Sequence, residues 1–327
     1  MARSVIDYAV PVFACLLCSG ATSLQAAPSF PTGFAPNPNV SWISVVAEWS
    51  QPPSGPGPVV EDPNHPHVTN EEFRRTGRQP TIAVGDPNSP ILQPWAKEYM
   101  RKHNEIVSSG EGGLTPQAAC WPVGVPGFDL HGIHPLFFVQ GPKQVLMLWE
   151  ADHQVRHIYL TDKHSPNLKP SWYGESIGHY EGDTLVVDTI GLNDKTLMDR
   201  YGTPHSEQLH VVERFRVVEG GKFVEATIHV DDPGAYTTSW NASNRWRRVE
   251  PGVAENNVPL TELSSSGTAG PLKENACAEN PGSYFGGKLR YRTQPSRIFD
   301  RVVKHLPNFT MAGHRPGHPA AARPRGE

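Results

Sequence analysis

The chain has 327 residues and a formal charge of −4, from 29 Lys and Arg against 33 Asp and Glu. Charged residues are 19% of the total, while Gly (30) and Pro (33) exceed their usual share. That composition excludes a coiled coil, a mostly helical bundle, a polytopic membrane protein and a wholly disordered chain, and the absence of a basic stripe argues against a nucleic-acid partner.

Residues 1–26 read as a secretory signal. Arg3 supplies the positive start, residues 8–17 (YAVPVFACLL) form an apolar run too short to span a bilayer, and small residues lead to a cut near Ala26. A lipoprotein anchored through Cys15 or Cys18 is the alternative. The mature chain is expected in the periplasm or outside the cell, with no membrane span. Cys120 and Cys277 then remain, and an oxidising compartment favours a disulfide between them over two buried thiols.

Residues 27–88 read as an extended lead-in, because QPPSGPGPVVEDPNHPH has too many prolines and glycines for a helix or strand. A helix is predicted over 90–108, capped by Ser89, with Trp95, Tyr99, His103 and Ile106 on one face. From about 117 to 249 the period becomes two. Strands are predicted over 145–149 and 155–160, then 176–180 and 184–190 around Glu181-Gly182-Asp183. Further strands follow over 209–218 and 222–230 around Gly220-Gly221, and over 239–249 with Trp240 and Trp246. Seven strands in successive hairpins make an antiparallel up-and-down meander, which must hide its edges. A closed barrel is the first expectation and a β-sandwich the second, with a single domain over 89–306. Residues 250–283 read as loop, 296–306 as a short helix capped by Ser296, and 307–327 as a disordered tail.

Residues 172–196 (WYGESIGHYEGDTLVVDTIGLNDKT) and 199–215 (DRYGTPHSEQLHVVERF) are distinctive. They resemble a family of secreted bacterial proteins that share W-x-G-x-S-I-G-x-W/Y-E-G-D-T-L-V-V-D-T-I-G followed by P-H-S-E-x-L-H-V-x-E-R. CWPVGVP at 120–126 and ENACAEN at 274–280 are similar to it as well, so the resemblance covers roughly residues 90 to 285. It implies secretion and a shared fold but carries no reaction. By fold analogy alone, the hairpin rhythm looks like a lipocalin-type (calycin) barrel.

Several groups of residues are candidates for chemistry. Alternation from 205 places His205, Glu207, Leu209, Val211, Glu213, Phe215 and Val217 on one strand face, and His210 and Arg214 on the other. The first face is the more apolar and is expected inside the barrel. A His beside buried carboxylates suits proton transfer near neutral pH. The alternative is a structural network in which Glu207 and Glu213 pair with Arg200 or Arg156. Asp188, within TLVVDTIG, needs a partner or a role. Asp194, Asp199 and Arg200 follow it at the expected barrel mouth, where Asp199 either orients His205 or caps the loop.

His131, His134, His153, His157, His164 and His179 are dense, but no helix fixes their spacing and H-E-x-x-H is absent, so they read as surface or hydrogen-bonding residues rather than a metal set. No Walker A loop, G-x-G-x-x-G after a strand, or G-x-S-x-G elbow occurs, so no cofactor is expected. Ser176 and Ser206 lie near acids and His but only long-range contacts can complete a triad. Trp149, Trp172, Tyr173 and Trp240, with Trp121, Tyr180 and Trp246, either line a site for a small apolar or aromatic molecule or pack the core.

The reading is an exported enzyme doing cofactor-independent acid–base chemistry (a lyase, isomerase, hydratase or hydrolase) on a small, largely apolar molecule inside the barrel. His205 is its acid or base, Glu207 or Asp199 the relay, and Arg200 or Arg214 the holder of negative charge, with His210, Glu213 and Asp188 also in the catalytic set. A non-catalytic periplasmic carrier of a small apolar ligand is the alternative, and a metal-dependent or structural envelope protein a further one.

Overall fold

The computed structural model describes residues 40–46, 48–79, 81–109, 121–130 and 135–249. The expected signal segment, Cys120 and Cys277, His131 and His134, and the loop, helix and tail expected over 250–283, 296–306 and 307–327 lie outside the described residues. Nine strands form a closed barrel in chain order. They are β1 Ser41–Ser44, β2 Leu136–Gln140, β3 Gln144–Trp149, β4 Gln154–Tyr159, β5 Glu175–Glu181, β6 Thr184–Ile190, β7 His210–Val218, β8 Phe223–Asp231 and β9 Trp240–Val249. β1 closes the barrel by pairing with β9, Ser44 opposite Trp246. Among the described residues the α-helices are α1, Asn70–Thr76, and α2, Pro94–Ser108. No helix among them is long and apolar enough to cross a membrane.

The strands follow from alternation. Val145, Met147 and Trp149 of β3 are buried while the residues between them are half-exposed. β7 and β8 repeat the pattern with Val211, Glu213 and Phe215 opposite Val230, Ile228 and Ala226. Inward residues of all nine strands, with parts of the β1–β2 connection, make one continuous apolar core. Each large apolar side chain removed from water there contributes about 1.5–3 kcal/mol.

Four features differ from the sequence reading. The barrel takes β1 from within the 27–88 lead-in, which also holds α1, capped by the Thr69 side chain on the Glu72 amide (3.0 Å). β2 was not anticipated, because Leu136, Phe137 and Phe138 are all buried and alternation fails. α2 begins at Pro94, not 90, with Gln93 before it; Ser89 sits in the preceding turn. Finally, β4 and β5 pair in parallel, Ile158 opposite Ser176, because residues 160–174 carry the chain back to the barrel's other end.

The barrel's two ends differ. At one, which we call the turn end, β2–β3, β5–β6 and β7–β8 are joined by tight turns at 141–143, 182–183 and 219–222. The other, the loop end, carries residues 191–209 between β6 and β7, 232–239 between β8 and β9, and most of the β1–β2 connection. α2 is tied to this end at its start, where the Gln93 amide donates to the Ala235 carbonyl (2.9 Å) and Trp95 Nε1 to the Gly234 carbonyl (2.6 Å); from the β1–β2 connection, Trp49 Nε1 donates to the Met198 carbonyl (3.0 Å).

Candidate functional site

The lumen holds a buried charged group. Arg156 of β4 and Glu213 of β7 are both 0% exposed. The guanidinium grips Glu213 through both terminal nitrogens, Nη1 donating to Oε1 at 2.9 Å and Nη2 to Oε2. Nη2 also donates to Thr189 Oγ1 (3.0 Å) and Nε to Ser176 Oγ (3.2 Å), so Arg156 stitches β4, β5, β6 and β7 from inside.

The third member is Asp129, 1% exposed, on a 3-10 turn (Gly127–Asp129) inserted at the loop end. Burial and the adjacent Glu213 charge push its carboxyl well above the usual range. Burial works against ionisation of Glu213 too, but Arg156 overcomes it and holds Glu213 below its ordinary value. Asp129 therefore favours its protonated form beside the Glu213 carboxylate. Two carboxyls whose surroundings drive them apart in this way are the usual equipment of an acid–base site.

A second site lies in the 191–209 loop. His205, 2% exposed, hydrogen-bonds the Ser206 carbonyl through Nδ1 (3.0 Å) and Thr196 Oγ1 through Nε2 (2.7 Å). A carbonyl only accepts, so Nδ1 bears the hydrogen. Burial pushes the imidazole below its ordinary value, so the ring is neutral and Nε2 accepts the Thr196 proton. A hydroxyl on an oriented imidazole has the geometry of an activated nucleophile. Gly124, however, packs directly on Thr196, so the pair is covered.

The sequence-predicted residues are scattered. Glu213 is inside, as alternation required, and pairs with Arg156. Glu207 is not inside: it is exposed in the turn before β7, because the alternating pattern starts only at Leu209. Asp199 does not orient His205. It caps its own loop, accepting from the Tyr201 amide (2.9 Å), the Thr203 amide (3.1 Å) and the Thr203 hydroxyl (2.6 Å), and burial pushes it up to about 6. Arg200 stands half-exposed, 3.9 Å from Glu48.

His210 and Asp188 meet on the outer wall, not in the lumen. Asp188 Oδ1 bonds His210 Nε2 (3.1 Å) and His164 Nε2 (3.0 Å), and His164 Nδ1 reaches Glu175 (3.0 Å). Among the described residues no group of His, Cys, Asp and Glu is arranged to hold a metal ion.

Of the aromatic candidates, Trp149 and Tyr173 surround Phe128 edge-on, with ring centroids 6.2 and 5.9 Å away. Trp240 is buried against Tyr236 near the loop end. Trp172 is half-buried at the rim, against Trp121 and under the Lys195 ammonium. Arg214 faces outward and pairs with Glu181 (2.5 Å).

Asp129 and Thr196 were missed, and Arg156 was seen only as a pairing option. The signal for Arg156 was present: it alternates with Ile158 on an inward face, and an inward arginine requires an inward acid. Comparison with known proteins returns no matching family model, curated protein or solved structure.

Proposed function

We propose that the protein is an exported enzyme performing cofactor-independent acid–base chemistry on a small, largely apolar molecule in the barrel lumen, with Glu213 as the base. The observation behind this is the Asp129–Glu213–Arg156 group. A buried ion pair is often no more stabilising than apolar side chains of similar size, so the fold alone gives little reason for it. Chemistry gives a better one. Arg156 keeps a desolvated carboxylate ionised, and Glu213 already faces a proton donor, the Asp129 carboxyl. A substrate placed where Asp129 now stands would present its own proton to Glu213. Export rests on the amino-terminal apolar segment.

The carrier reading keeps the same ligand without turnover. It draws on the apolar remainder of the lumen, where Phe138, Phe215 and Trp246 pack together. One experiment separates the two. The purified protein is incubated in D2O with an organic extract of the source cells' medium, and the small molecules are followed by mass spectrometry. The enzyme reading expects a compound that isomerises, splits, adds water or gains deuterium with wild type and not with Glu213→Gln, whose fold is checked by circular dichroism. A compound that is retained but never altered would leave the carrier.

A further inference from the structure

Residues 121–130 enter the loop end as a plug. Its backbone hydrogen bonds close on the plug itself: Phe128 N–H to the Gly124 carbonyl (2.8 Å), Asp129 N–H to Pro126 (2.9 Å) and Leu130 N–H to Gly127 (3.1 Å). None joins a strand ladder. Its polar ties to the wall are side-chain bonds: the Val123 amide to Gln154 Oε1 (3.1 Å), Asn244 Nδ2 to the Asp129 carbonyl (2.5 Å), and the Asp129 carboxyl against Glu213. Phe128, 2% exposed, fills the space between Trp149 and Tyr173. The plug thus puts an apolar ring and a carboxyl side by side in the lumen, on an element outside the strand ladder whose Val123, Val125, Phe128 and Leu130 are buried in the core.

We propose that the plug occupies the ligand site, and that the ligand is a small apolar or aromatic alcohol or phenol, its hydroxyl where the Asp129 carboxyl stands and its body where the Phe128 ring stands. The wall selects this chemistry. Arg156 has committed Nε, Nη1 and Nη2 to Ser176, Glu213 and Thr189, so it offers little to a ligand carboxylate, which Glu213 would also repel. Arg156 and Glu213 already balance in charge, so a buried ammonium would stand uncompensated. A neutral hydroxyl satisfies Glu213 without adding charge, and the aromatic walls suit a ring. This rests on the reading of Glu213 proposed above, because the ligand's hydroxyl would donate its hydrogen bond to that same carboxylate.

The test uses four probes of one size: benzyl alcohol, toluene, benzoate and benzylamine. Binding to the mature chain and to a trimmed plug, Phe128→Ala/Asp129→Ala, is measured by calorimetry. Benzyl alcohol is expected to bind the trimmed plug about tenfold or more tighter than wild type, because the competing closed state is weakened. It should also bind about tenfold tighter than toluene or the two charged probes, as a buried group left without its hydrogen bond implies.

Should the trimmed variant not fold, hydrogen exchange of wild type decides. Saturating benzyl alcohol should speed amide exchange in 121–130, and an unchanged rate there would overturn displacement. Equal binding of toluene, or preference for a charged probe, would overturn the ligand class. Binding of none of the probes to either protein would overturn the site, even if the D2O experiment found turnover. Selective alcohol binding with no turnover in D2O would uphold the site and remove the enzyme reading.

Discussion

The two ends of the barrel solve the same backbone problem under different constraints. Gly182 and Gly220, at the turn end, have φ of +62° and +64°, and a Cβ added to either would meet nothing within 4 Å. Gly124, Gly191 and Gly202, at the loop end, have φ of +72°, +71° and +79°, but each is pressed against a side chain, Thr196, Leu168 and His103 respectively. At the turn end glycine supplies only the left-handed conformation. At the loop end it supplies that and the room for close packing. The polar groups divide in the same way. Glu219 and Glu181 stand in water, whereas Asp129, His103, Asp199 and His205 are sealed in. A tight turn needs only to reverse the chain; the loop end has to keep titratable groups dry.

The strongest way to break this contrast is to unbalance the lumen. Arg156→Leu leaves Glu213 buried without its partner and should cost about 3–5 kcal/mol, read as a fall in the urea midpoint at neutral pH. Adding Glu213→Leu should recover much of the loss. If Arg156→Leu alone costs no more than a surface substitution, the group is not the sealed pair described above.

The glycines give the next largest effect. Gly220→Ala should cost about 1 kcal/mol, for the left-handed conformation alone. Gly202→Ala carries that strain and also drives a methyl into the His103 ring, so its cost should be about 2–4 kcal/mol. Equal costs by denaturant titration would mean that the loop end yields as easily as a surface turn.

Asp129 predicts a dependence on pH. Its folded-state value lies above the ordinary one, so its stabilisation is complete below the ordinary aspartate range and is lost as pH rises towards the folded value. Asp129→Asn keeps a donor for Glu213 and cannot ionise. It should match wild type near pH 4 and then gain up to about 1.4 kcal/mol per pH unit above that, levelling once the folded value is passed. A constant difference at every pH would show that Asp129 does not hold its proton.

The hairpins from β5 to β9 were legible because each has an alternating run and a turn residue to stop it. β1 was not, since four residues are too few to give a period and its partner β9 lies some two hundred residues on, as the Ser44–Asn244 side-chain bond shows. The site was half legible. Glu213 falls inside by simple counting, but counting was carried past the start of β7 to Glu207, where the chain has already left the sheet. Asp129 was invisible for another reason: nothing in GFDL says that this stretch of the β1–β2 connection turns into the lumen rather than away from it. That placement is a property of the closed barrel, which only long-range pairing defines.

The subtlest difference between the ends lies in two groups that oppose each other across Gly202. His103, on α2, is buried with no hydrogen-bond partner on either ring nitrogen among the described residues, and burial lowers it to about 4. Its neutral form is favoured, so its contribution is present above the ordinary histidine value of about 6.5 and is lost as pH falls towards 4. Asp199, which clasps the loop on Gly202's other side, is raised by burial to about 6, so its contribution grows as pH falls from 6 towards 4. The two slopes have opposite sign, each at most about 1.4 kcal/mol per pH unit, and nearly cancel in the wild type. His103→Leu should therefore gain stability relative to wild type as pH falls from 6.5 to 4, and Asp199→Asn should lose it. Urea titrations at pH 7, 5.5 and 4 read both slopes. Parallel curves for the two variants would mean that the loop end does not hold these groups in their neutral forms, and the contrast between the two ends would then rest on packing alone.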